Sequence, residues 1–149
     1  LLQSSAASDV YKRQEHNGSI LYTIGQRQGL GIGGIKDKDE LPWYVYGKNI
    51  SKNEIYVCQG VDNQLLYTEN ITLDKIHWIN DLKEFKHLDC LVQIRHRHKP
   101  VKCIIEFNKG FRVMFDEEIR GVAPGQSAVF YKDNLCLGGG VIEARNNDL

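Results

Sequence analysis

The 149-residue chain has no excess of charge: 19 basic and 19 acidic residues cancel to a formal net charge of zero. The plainest signature of a nucleic-acid binder, a strongly basic whole chain, is therefore missing. A local basic patch could still steer an anion. No apolar run is long enough to cross a bilayer. No charged start leads into an apolar core, so neither a membrane partner nor a signal peptide is expected. The four cysteines, Cys58, Cys90, Cys103 and Cys136, stand singly. Without a C-x-x-C pair they suggest neither zinc nor a redox motif, and they are expected to be reduced, mostly buried thiols of a cytoplasmic protein. A sustained helical period is absent, as are internal repeats and low-complexity tracts. No Ser/His/Asp or Cys/His arrangement has local support, so no catalytic residue is assigned.

What is present reads as mainly β. Hydrophobic residues make up 42% and charged residues 26%, the balance of a packed protein. Residues 1–14 show no sustained period and are set apart as a foreign or disordered segment. Residues 15–66 read as a partial, small β-rich domain. It holds strands at 20–24, 43–46 and 55–58, with a turn at 47–53. Residues 67–149 carry strand signals at 73–78, 88–97, 101–107, 111–115, 127–131 and 135–143, spaced as in a β-barrel. Hairpin turns are expected at 108–110 and 132–134, and a short helix near 80–85. Glycines 138–140 inside the last strand mark a bulge or a close backbone approach.

Four motifs could carry chemistry. Gly29, Gly31 and Gly34 satisfy the G-x-G-x-x-G dinucleotide pattern, which has meaning only when a helix opens after it. The residues that follow do not start an amphipathic helix, so a structural turn is the better reading. Beside it, Arg27 lies between two glutamines, on a helical turn or an exposed loop, where it could contact phosphate. Arg95-His96-Arg97-His98-Lys99 is the densest basic run. On a strand, Arg95, Arg97 and Lys99 would share one face, either as a site for an RNA backbone or as a solvated edge that discourages aggregation. Gln126, after a Pro-Gly turn, either bonds a ribose or base edge or caps its own turn. Asp116, Glu117 and Glu118 are expected to be solvated acids after a strand. His96 and His98 lack a third ligand at metal spacing, so no metal site is assigned.

Five segments together resemble one family. They are Glu15-His16-Asn17-Gly18, the glycine-rich stretch 22–34, Pro42-Trp43-Tyr44-Val45, Arg95-His96-Arg97, and residues 124–143. In this order and spacing they are similar to the bacterial tRNA-specific 2-thiouridylases. The resemblance implies a fragment made of a central β-rich domain and a C-terminal β-barrel, without the N-terminal domain that binds ATP and carries the catalytic cysteines. None of the four cysteines matches those positions. The resemblance further implies that Arg95, His96 and Gln126 contact tRNA, with Arg97 and Arg27 as further candidates. The family usually has Tyr where His96 stands. ATP and a sulfur-donor protein would serve the full-length enzyme, which thiolates the wobble uridine of tRNA in the cytoplasm. The fragment alone would hold no cofactor and be inactive. The competing expectation is a free-standing, non-enzymatic RNA-binding β-barrel module.

Overall fold

A computed structural model describes the backbone of residues 2–6, 9–32, 41–79 and 86–146, with side chains from residue 15 onward in those spans. The chain divides into two compact units, Leu1–Tyr67 and Thr68–Asp148.

The first unit holds a four-stranded sheet in the order β2-β1-β4-β3. Within the segment set apart on sequence, residues 2–6 and 9–14 contribute backbone to it: β1 (Leu2–Ala6) and β2 (Asp9–Gln14) pair antiparallel. β3 (Trp43–Asn49) and β4 (Glu54–Gln59) form a second hairpin, and β1 runs parallel to β4. Successive side chains of a strand point to opposite faces, and both faces of this hairpin are covered. Val45, Ile55 and Val57 pack with Leu30 on one side. Tyr44, Tyr46 and Cys58 pack with Leu66 on the other. That two-sided burial explains the nearly unbroken apolar run at 43–46.

Sequence placed the turn from residue 47, but β3 continues to Asn49. The Asn49 carboxamide oxygen accepts from Ser51 Oγ at 2.7 Å and from the Lys52 amide at 3.0 Å, so the reversal closes later. Residues 20–24 are not the expected strand. A 3₁₀ turn, Ser19–Leu21, occupies their start, with the Ser19 amide bonded to Asn53 Oδ1 at 2.8 Å. Local backbone bonding outweighs β-propensity here, and Ile20 and Leu21 are left exposed.

The second unit is an eight-stranded sheet curled as a β-barrel domain. Its strands are β5 (Tyr67–Leu73), β6 (His77–Trp78), β7 (His87–Gln93), β8 (Val101–Phe107), β9 (Phe111–Arg120), β10 (Ser127–Lys132), β11 (Leu135–Val141) and β12 (Ala144–Arg145). Their order is β12-β5-β9-β8-β7-β10-β11-β6. One face supplies the core, including Ile71, Leu73, Val92, Ile105, Val113 and Phe130, each at most 1% exposed. Alternation of period two is plain along β7, β8 and β10, as a one-sided sheet requires.

Three strand expectations are corrected. The span 73–78 is two strands, broken where the Lys75 carbonyl and Ile76 pack against Gly140. β7 ends at Gln93, not at residue 97. β9 runs on through Arg120, so Asp116, Glu117 and Glu118 lie within a strand, exposed as expected. The helix expected near 80–85 lies outside the described residues.

Candidate nucleic-acid interface

The basic run lies on the connection between β7 and β8, so strand alternation does not arrange it. Its shape comes from a side chain that sequence reasoning passed over. Gln93 Nε2, at the end of β7, donates to the carbonyls of His96 at 3.1 Å and His98 at 2.8 Å. The same carboxamide accepts from the Tyr131 hydroxyl of β10 at 3.4 Å. The His98 amide closes a turn on the Arg95 carbonyl at 3.0 Å. Pro100 follows; it supplies no amide and disfavours a helical Lys99. The turn therefore presents His96, Arg97, His98 and Lys99 to solvent. Among the described residues no carboxylate pairs with Arg95, Arg97 or Lys99, so their charge remains available to an anion.

Arg95 is half buried, and its Nη2 donates to the Gly121 carbonyl at 2.5 Å. Gly121 opens the β9–β10 connection, residues 121–126, and Gln126 closes it. Gln126 Oε1 accepts from the Ala123 amide at 2.9 Å, and the Gln126 amide bonds the Ala123 carbonyl at 3.3 Å. The Arg95 side chain is thus bonded to the same short loop that Gln126 closes. The structure also gives Gln126 the turn-capping bond that was the alternative to RNA contact. The two roles use different atoms: the oxygen serves the turn, and Nε2 donates to no described residue.

The same turn occurs in the first unit. Gln26 Oε1 accepts from the Thr23 amide at 2.9 Å, and the Gln26 amide bonds the Thr23 carbonyl at 3.0 Å. Gly25 and Gly125 both have φ 85, the left-handed value a type II turn needs at its third residue. In each case one residue of the facing chain, Val45 or Ile142, bonds both the glycine amide and the glutamine carbonyl. One sequence device, Gly-Gln after a two-residue lead, therefore gives one geometry twice. Of the two readings for residues 26–28, a helical turn or an exposed loop, the structure has the loop. Arg27 is exposed on it, in the first unit.

Up to residue 32 the described part of the glycine pattern forms turns, at 24–25 and 28–29, and the Gln26 side chain donates to the Gln28 carbonyl at 2.9 Å. Gly34 and the residues after it lie outside the described spans. No step involving ATP is therefore assigned to these residues. Cys58, Cys90 and Cys103 are buried, Cys136 is half buried, and none of the four is in a disulfide.

Residues 68–142 match the family model described as the aminomethyltransferase beta-barrel domain, and residues 12–59 match that described as the tRNA methyl transferase PRC-barrel domain. Curated relatives agree along most of the chain. The tRNA-specific 2-thiouridylase MnmA of Buchnera aphidicola subsp. Baizongia pistaciae is 45% identical over 133 residues, covering 88% of this chain and 36% of the relative. The protein of the same description from Pseudomonas aeruginosa strain LESB58 is 44% identical over 129 residues, covering 86% of this chain and 34% of the relative. The chain belongs to the tRNA-specific 2-thiouridylase family. It corresponds to the family's central β-rich and C-terminal barrel parts, one matched span falling in each compact unit. It spans only about a third of the relatives' length (36% and 34%).

Proposed function

We propose that this chain holds tRNA for a uridine 2-thiolation carried out by another part of the same protein. The observation that carries this reading is the convergence of Arg95 and Gln126 on residues 121–126, beside the exposed basic turn 95–99. Arg and Lys on such a turn neutralise backbone phosphates, which fixes an RNA in place without reading its sequence. The Gln126 Nε2 supplies a directed donor, and His96 offers a ring for stacking on an unpaired base. Arg97 adds to the phosphate contacts. Arg27 is a separate contact on the first unit.

The exchange of the uridine C2 oxygen for sulfur, with ATP activating that oxygen and a sulfur-donor protein supplying the atom, is assigned to the two thirds of the family's length that this chain does not match. The chain alone binds tRNA and turns nothing over. The test is a filter-binding salt titration of the chain and its Arg95→Ala variant. Loss of one phosphate contact lowers the slope of log K against log salt by about 0.7–0.9. An unchanged slope would falsify a phosphate role for Arg95, even if affinity fell, because a purely structural anchor changes affinity without changing ion release.

A further inference from the structure

We propose that Cys90 and Cys103 are a modification site: two core thiols that a low-molecular-weight disulfide converts, reversibly, into a cross-strand bond. They stand directly opposite in the β7–β8 register, and their sulfurs are 3.6 Å apart. Both belong to the barrel core and are at most 9% exposed. No other cysteines are placed this way: Cys58 lies in the first unit and Cys136 on β11, half buried.

Facing residues on antiparallel strands hold their Cβ atoms about 4.5–5.5 Å apart, whereas a disulfide needs about 3.5–4.5 Å. The pair must therefore close by about 1 Å, within the give of a hairpin. The thiol–thiol contact also divides the labour. It favours the thiolate at Cys90, and it holds Cys103 protonated far above the usual thiol range, burial adding to the second effect. The Cys90 thiolate attacks one sulfur of the small disulfide and releases one small thiolate, which takes up the proton that Cys90 gave to solvent on ionising. The Cys103 sulfur then displaces the second, whose sulfur takes the remaining proton. Two protein S–H bonds are exchanged for one S–S bond, and one small disulfide is reduced to two thiols. Because both sulfurs are buried, the reaction waits on local opening of the hairpin and is slow.

The ring so closed contains Gln93 and the whole basic turn 95–99, tying the two strands that carry the turn. On the RNA reading this bond would constrain the binding surface, but its formation does not depend on that reading. The experiment treats the folded chain, in a Cys58→Ser/Cys136→Ser background, with oxidised glutathione. Unreacted thiols are then blocked in denaturant, and the digest is weighed. The expected product is a peptide pair linking Cys90 to Cys103, lighter by two hydrogens, restored by dithiothreitol and lost in Cys90→Ser. Recovery of both cysteines fully blocked overturns the proposal, as does a link that forms only when the oxidant is added to unfolded protein. Because mass is the readout, a failure of tRNA binding leaves this result intact, and the reverse holds equally.

Discussion

Gln126 has one end committed and one end open. The backbone amide of Ala123 can only donate, so the atom facing it is Oε1 and the outward atom is Nε2. Any RNA group it meets must be an acceptor: a phosphate oxygen, a ribose oxygen or a base carbonyl. This polarity separates binding from folding. Gln126→Glu keeps the acceptor for Ala123 while replacing the donor with a negative charge. Its urea midpoint is expected to stay within about 0.5 kcal/mol of the parent, while tRNA affinity by fluorescence anisotropy falls about tenfold or more, the scale of a lost bond to a charged group. Gln126→Ala, in contrast, loses the turn bond as well and destabilises by about 1 kcal/mol. Equal affinity for the parent and the Glu variant would remove Gln126 from the interface.

At the scale of elements, β11 shows how much of the barrel is written in its glycines. Phe130 pairs with Gly138 but Tyr131 pairs with Cys136, so the strand carries a bulge at Leu137. A Cβ on Gly138 would collide with the His77 carbonyl, and one on Gly139 would stand 2.8 Å from the Ala128 carbonyl. Gly138 also has φ 151. Gly138→Ala therefore combines overpacking against backbone with a disfavoured conformation, and is expected to cost about 2–4 kcal/mol in urea unfolding. Gly125→Ala shares only the conformational penalty, since nothing lies within 4 Å of its Cβ position; it is expected to cost about 1–2 kcal/mol. Equal costs would mean that the approach of β6 to β11 is not tight.

These glycines were legible in sequence because glycine inside a strand has few uses. The hairpin of β8 and β9 was equally legible: Asn108-Lys109-Gly110 interrupts two alternating runs, and Lys109 adopts φ 57 there. The end of β7 was not. Arg95 to Lys99 have no feature that stops a strand. What stops it is the Gln93 carboxamide taking two carbonyls, with Tyr131 bonded behind it. A hydrogen bond from a neighbouring strand leaves no mark on local pattern. The same limit hid the 3₁₀ turn at Ser19–Leu21, which is tied to Asn53 across 34 positions of sequence.

For the whole molecule, zero net charge and an exposed basic turn are compatible because no described carboxylate pairs with the cations of that turn. Asp116, Glu117 and Glu118 line β9, and Arg95, Arg97 and Lys99 lie between β7 and β8. Attraction to a polyanion then depends on one surface rather than on the sum. The candidate site was legible as a set of residues, and the resemblance named Arg95, His96 and Gln126 together. Its geometry was not legible, since the meeting of two loops 26 residues apart, Arg95 with Gly121, is a product of the β7-β10 pairing.

The most direct measurement is amide hydrogen exchange of the chain with and without saturating tRNA. Slowed exchange concentrated in residues 94–99 and 121–126, with the β8–β9 hairpin unchanged, is the outcome this account predicts. Protection confined to other segments, or none at saturation, would contradict it.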